Sequence, residues 1–206
     1  MNIAIIDYGM GNLRSVANAF QALGYSAVIT QNPEDLRKAD RIVLPGVGAF
    51  GDAMSNLRSA GWVKVMEEEV LLKRKPFLGI CLGIQLLATI GTEHGEHKGL
   101  NWIPGKVLRL SSANPNLKIP HIGWNDVRFL KRNGLYAGLS DPQAFYFVHS
   151  YVLIPDDKSV ISGLCNYEND FVASIEAGNI YAIQFHPEKS HKAGLKVLKN
   201  FLEVKN

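Results

Sequence analysis

Cysteine is scarce: two residues among 206, so no disulfide framework holds this chain together, and such usage agrees with a reducing compartment that leaves one thiol free to react. No uncharged apolar run approaches the roughly 18 residues that a membrane span needs. The first residues, M-N-I-A-I-I-D, carry no basic leader and turn polar at Asp7, so neither a signal peptide nor a lipid anchor is expected and the cytoplasm is the expected location. Charge of one sign is missing too. With 22 basic and 19 acidic residues the net charge is +3, too small a bias to imply nucleic acid or a membrane surface as partner. There is no internal repeat, low-complexity stretch or linker. No G-K-S/T follows the glycine-rich loop at 45–51, so a P-loop nucleotide has little support, and no cofactor or metal is expected.

What is present is an ordinary globular composition, 47% apolar and 20% charged, with 19 glycines and 9 prolines. The length suits one domain over 1–206 with a core of its own. Residues 3–6 form a continuous apolar run, followed by a glycine-punctuated turn and a helical pattern over 13–23. Short strands are expected at 27–30 and 41–44, a helix over 34–38 opened by Pro33, and helices through 54–57 and 63–73. A buried strand over 77–80 leads into an apolar helix over 82–90. This alternation predicts an α/β fold with a mostly parallel central sheet flanked by helices. Beyond a polar turn region at 91–99, strand-like pieces near 105–110, 126–130, 145–153 and 159–164 read as antiparallel additions at an edge of the same sheet. A hairpin of 173–176 with 180–185 and an amphipathic helix near 191–203 close the chain.

Three segments carry chemistry. In P-F-L-G-I-C-L-G-I-Q, Cys81 stands between an apolar strand and an apolar helix, and Gly79 and Gly83 leave room for a tight nucleophile elbow. Amides and the positive end of the following helix would lower the thiol pKa and hold an oxyanion. A buried structural thiol is the other reading, and it is the one that fits Cys165. In Q-F-H-P-E-K-S, His186 lies just past a strand at the edge where parallel sheets carry their sites. Pro187 lets Glu188 turn back beside the imidazole, with His186 as base and Glu188 as its orienter; an ordinary turn histidine with a solvated glutamate is the alternative. Gly46, Val47 and Gly48 follow a strand directly and make either an anion nest, with the Leu82 amide as second donor, or a plain structural turn.

Taken together, P-G-V-G at 45–48, G-I-C-L-G-I-Q at 79–85 and H-P-E at 186–188 resemble the class I, triad-type glutamine amidotransferases. D-Y-G-M-G-N-L-R-S-V at 7–16, G-K-V-L-R-L at 105–110, P-H-I-G-W-N at 120–125, F-Y-F-V-H-S-Y at 145–151 and F-H-P-E-K-S at 185–190 look like one branch, the glutaminase subunits of imidazole glycerol phosphate synthases. The resemblance implies Cys81 as nucleophile, His186 as general base and acid, and Glu188 as the residue that orients it. It implies an oxyanion site at the Gly48 and Leu82 amides, and a glutamine pocket lined by Gln85, His149, Ser150 and Tyr151. It also implies that the ammonia passes through a channel to a (β/α)8-barrel cyclase subunit, which makes imidazole glycerol phosphate and aminoimidazole carboxamide ribotide in histidine biosynthesis. Loops 8–12 and 120–125 would face that partner. Trp124 either plugs the core or anchors the interface, and the resemblance favours the interface. Asn12 is either an interface residue or a turn and cap residue.

The stretch G-T-E-H-G-E-H-K-G departs from what the family leads one to expect. His94 and His97, with Glu93 or Glu96, could approach a metal, but flanking glycines make a solvated loop the simpler account. Rival functions are a triad glutaminase serving another pathway, a cysteine peptidase or isomerase on a similar sheet, and a binding subunit that turns nothing over.

Overall fold

The computed structural model describes residues 1–114 and 117–204. Strands alternate with helices as far as Gln85. β1 (Ile3–Ile6) leads to α1 (Leu13–Ala22), and β2 (Ala27–Thr30) to a 3-10 turn over Pro33–Lys38. β3 (Arg41–Gly46) leads to α2 (Phe50–Ser59) and α3 (Trp62–Met66), and β4 (Phe77–Cys81) to α4 (Leu82–Gln85). Continuous apolar runs in β1, β3 and β4 are possible because both faces of these strands are covered. The rest of the chain is mainly strand: β5 (Ile90–Gly91), β6 (His97–Lys98), β7 (Gly105–Arg109), β8 (His121–Phe129), β9 (Gln143–His149), β10 (Tyr151–Pro155), β11 (Ile161–Tyr167), β12 (Asn169–Ala177) and β13 (Ile180–Ile183), before the closing helix α5 (His191–Glu203).

Nine strands make one sheet in the order β2-β1-β3-β4-β13-β12-β11-β8-β9. From β2 to β13 all pairings are parallel, and from β13 to β9 all are antiparallel. The expected α/β sheet with antiparallel edge strands is therefore present. β13 is the hinge of this arrangement: the apolar tetrapeptide Ile180–Ile183 is buried between β4 on one side and the returning β12 on the other. Helices α1 and α5 cover one face over a core that includes Phe20, Phe145, Phe147, Phe185 and Phe201. The opposite core, with Phe50, Leu57, Trp62, Leu87, Val107 and Leu153, lies under α2, α3 and a second, four-stranded sheet ordered β10-β7-β5-β6.

That second sheet corrects the expectation of a single sheet. The expected strand over 145–153 is two strands that part at Ser150, β9 staying in the large sheet and β10 pairing with β7 in the small one. Residues 105–109 accordingly join the small sheet. The expected helix over 82–90 ends at Gln85, because the carbonyls of Leu86, Leu87 and Ala88 accept from the amides of residues 100–103 instead of continuing a helix. Residues 121–125, expected as a loop, are the first half of β8, with His121 set directly opposite His149. The helix expected over 63–73 widens into a π-helix over Glu67–Leu72, which places the buried carboxylate of Glu69 among Arg37, Lys73 and Lys75.

One close approach fixes the geometry around Cys81. A side chain at Gly83 would run into the carbonyl of Leu44, and one at Gly79 would come within 2.7 Å of the Gly83 carbonyl. No flexible side chain is there to yield. Gly83→Ala is expected to lower stability by about 1–3 kcal/mol through overpacking, whereas Gly61→Ala, whose side chain would meet open space, loses only the smaller cost of its positive φ. Denaturant unfolding of the two variants measures the difference, and equal losses would show that the α4–β3 contact can relax.

Candidate active site

Cys81 ends β4 and opens α4 with φ 55° and ψ −104°, a conformation that L-residues avoid. The strain is imposed from outside: Gly46 lies opposite in the β3 register, and the glycine contacts just described press α4 onto the strand ends. The thiol thereby leaves the plane of the sheet and lines a cavity of about 490 Å³. Its Sγ lies 3.7 Å from the Val148 carbonyl and 3.9 Å from Nε2 of Gln184.

His186 reaches the same cavity from the far side of β13. Its amide donates to the Tyr146 carbonyl at 2.9 Å and its carbonyl accepts from Ser190 Oγ at 2.6 Å, while Ser190 Oγ accepts from the Tyr146 amide at 3.0 Å. The Pro187–Lys189 turn is thus clamped to β9, and Glu188 folds back so that its Oε1 stands 2.9 Å from His186 Nδ1. Burial opposes a charge on this imidazole, yet hydrogen bonds and negative charge from Cys81 and Glu188 outweigh it, and the His186 pKa is pushed up to about 10. A ring so placed holds a proton in the neutral pH range, and its two nitrogens have distinct neighbours.

The structure brings most of the expected residues to one place. Val47, Gly48, Leu82, Gln85, His149, Ser150 and Tyr151 line the cavity with Cys81 and His186. Gly46 is buried behind it, and a side chain there would meet the Tyr8 hydroxyl. Gln85 is held from within: its Nε2 donates to the Tyr151 carbonyl at 2.9 Å and to Gln184 Oε1 at 3.2 Å. Asn12 and Trp124 lie outside the cavity. Asn12 precedes α1 and accepts from Ser15 Oγ at 2.9 Å. Trp124 is on the surface, 48% exposed, its ring stacked on His191 at 5.0 Å, so the reading as a core plug does not hold. His94 and His97 are used separately: His94 lines the cavity, whereas the His97 ring covers Gly51 at the start of α2.

Sequence reasoning did not place Glu93, Pro120, Val148, Lys189 or Gln184 at this site. Glu93 lines the cavity and its Oε2 accepts from the Phe50 amide at 2.9 Å, which caps α2. Gln184 had a usable signal, since it stands two residues before His186 and period-two alternation puts both on one side. The other cysteine, Cys165, is buried away from the site and burial pushes its thiol up to about 12.

The family described as glutamine amidotransferase class-I matches residues 4–204, and the chain belongs to that family. It is 50% identical over 207 residues to the imidazole glycerol phosphate synthase subunit HisH of Geobacter sulfurreducens, covering 98% of this chain and 99% of that one. The HisH subunit of Aquifex aeolicus is 50% identical over 202 residues, covering 98% and 96%. Within its family the chain is thus of the HisH type. In fold it resembles a crystal structure of a glutamine amidotransferase, with a TM-score of 0.76, 19% identity and coverage of 98% and 97%. PurLQS from Thermotoga maritima gives 0.74, 17%, 98% and 97%.

His149 in the cavity wall is paired with His121, which is not among the lining residues, and the charge of both rings is suppressed. Burial lowers His121 to about 4, and burial together with the neighbouring His121 and His186 lowers His149 to about 3. An unfolded chain protonates both near 6.5. Between roughly pH 6.5 and pH 4 the unfolded state therefore binds protons that the native rings refuse, and stability falls on acidification by up to about 1.4 kcal/mol per pH unit for each ring. Thermal unfolding from pH 7 to pH 4.5 should show this decline, and His121→Phe should make it shallower. An identical slope in the variant would mean that His121 titrates normally in the native state.

Proposed function

We propose that this chain hydrolyses glutamine to glutamate and ammonia with Cys81, His186 and Glu188 as its catalytic groups, and that it supplies the ammonia to a (β/α)8-barrel cyclase subunit of an imidazole glycerol phosphate synthase in histidine biosynthesis. The observation that carries the reading is the meeting, in one cavity, of a thiol on a strained strand-to-helix turn and a carboxylate-bound imidazole, in a chain half identical over nearly its whole length to HisH subunits.

The chemistry follows from these positions. With the proton held on His186, the Cys81 sulfur attacks the side-chain amide carbon of glutamine as the thiolate. The negative charge that moves to the amide oxygen is met by backbone amides of Gly48 and Leu82, with Gly46 and Val47 shaping the turn that presents them. His186, oriented through Nδ1 by Glu188, gives its proton to the departing nitrogen, so ammonia leaves and a glutamyl thioester remains. Water activated by the same imidazole cleaves the thioester to glutamate and restores the thiol. Gln85, His149, Ser150 and Tyr151 form the wall that holds the amino acid. No cofactor is called for in these steps.

The surface that receives the barrel is the one carrying Asn12 and Trp124. Its aromatic stack of Trp124 on His191, with Tyr146 edge-on to the indole, offers a rigid apolar anchor of the kind that interfaces favour.

Cys81→Ala should retain the fold and the complex while reducing glutamine-dependent synthesis by about a thousandfold or more, and added ammonium should restore synthesis. An assembled mutant complex that ammonium cannot rescue would count against the channelled-ammonia reading. Glu188→Gln should be impaired less than His186→Ala, because it loosens the ring's orientation and leaves the base in place. Glutamate release by the complex with the barrel subunit measures both, and equal losses in folded variants would remove the separate roles.

A further inference from the structure

His121 belongs to none of the roles above, yet it is 3% exposed and stands opposite His149 across the β8–β9 ladder. The two rings are directly bonded, His121 Nδ1 to His149 Nε2 at 3.1 Å. On its other side His149 Nδ1 is 3.1 Å from the carbonyl of Tyr151, which can only accept. A neutral His149 therefore carries its proton on Nδ1 and leaves Nε2 as an acceptor, so His121 must donate from Nδ1. The far end of the chain demands the same polarity. Asn125 Oδ1 accepts from the Asp126 amide at 2.9 Å and Asn125 Nδ2 donates to the Asn166 carbonyl at 2.8 Å, which fixes the amide orientation. The atom that Asn125 turns toward His121 Nε2, at 3.5 Å, is thus a donor. Hydrogen bonds run in one direction from β8 to the Tyr151 carbonyl, and no member has a spare proton.

The end point of this chain is the place where the fold is least continuous. At Ser150 the backbone leaves the large sheet for the small one, and residues 148–151 on either side of that break line the cavity. His149 spans the break by bonding from the last residue of β9 to the first of β10. The Tyr151 carbonyl it grips also accepts from Gln85. Phe147 and Tyr167 stack against His121 at centroid distances of 5.0 and 4.1 Å, so its ring cannot turn freely.

We propose that His121 is a positioning residue of the glutamine site: by donating to His149 it fixes that ring in the Nδ1–H form and holds the Val148–Tyr151 wall of the cavity in shape. This rests on the reading of the cavity as the glutamine site. Because β8 also carries Trp124, the same hydrogen-bonded chain joins the strand proposed to meet the barrel subunit to the wall that receives glutamine.

Two variants and two readouts test it. His121→Phe keeps the stacking and removes the donor, whereas His121→Asn places an amide N–H near the position of Nδ1. In the complex with the barrel subunit, His121→Phe should raise the KM for glutamine about three- to tenfold, the worth of one hydrogen bond, with kcat changed less than about twofold, and His121→Asn should recover most of the loss. Unchanged KM in His121→Phe, or equal impairment in the two variants, overturns the proposal. Imidazole 15N spectra of the full chain at neutral pH provide a readout that needs no catalysis. Both His121 and His149 should be neutral and protonated on Nδ1, and His121→Phe should shift the backbone amides of residues 148–151. An Nε2–H form of His149, or unmoved amides, overturns it even if glutamine proves not to be the substrate. Absent glutaminase activity together with the expected spectra would instead overturn the reading of the cavity alone.

Discussion

At the carboxyl ends of β3 and β4 the first turn of α4 lies against the Leu44 carbonyl, where there is room for a hydrogen atom and nothing larger. That steric constraint sets the rest. It forces the chain to reverse within one residue, and the residue at the reversal is Cys81, held at a positive φ that costs of order 1–3 kcal/mol. Relaxing the turn would swing the sulfur back toward the sheet and away from His186. Stability of the neighbouring strands β3 and β4, buried from Ile42 to Gly46 and from Phe77 to Cys81, is what keeps the turn from relaxing.

Around this fixed point the site is assembled from separate parts of the chain. β4 supplies the sulfur, the segment after β13 supplies the imidazole and its carboxylate, and the β9–β10 break supplies the wall. They meet because β13 is parallel to β4 and in register with it, Ile183 opposite Ile80, so that both strands deliver their successors to the same edge. Backbone clamps then refine the placement: Ser190 and Tyr146 fix His186, and Gln184 and Gln85 link the sulfur's surroundings to Tyr151. Polar groups this deeply buried rigidify a site when each has its partner.

Much of this was legible in the sequence where local pattern and tertiary surroundings agree. Unbroken apolar runs at 3–6, 42–44 and 77–80 announce strands covered on both faces, and glycines 79 and 83 around Cys81 announce the turn. The parts that escaped are decided by distant segments. Leu82–Ile90 has every local mark of a helix, but residues 100–103 take the carbonyls that would have continued it. Residues 145–153 look like one strand because period-two alternation runs through Ser150, and nothing local records that Tyr151–Pro155 pairs with Gly105–Arg109 rather than with β8. His121 escaped because a lone histidine in a segment read as a loop has no signature until its cross-strand neighbour is known. Loop reading of 120–125 failed for a related reason: Gly123 and Asn125 suggest a turn, while the ladder to β9 holds them extended.

Burial of Cys165 has a practical corollary. Its thiol is pushed up to about 12 and sealed in the aromatic core, whereas the sulfur of Cys81 opens into the cavity beside an imidazole that carries a proton. The two cysteines are therefore chemically unequal, and a thiol-directed electrophile small enough to enter has a single address on the folded chain. The protein carries its own selective attachment point, usable for a fluorophore, a spin label or an affinity handle without removing the second cysteine.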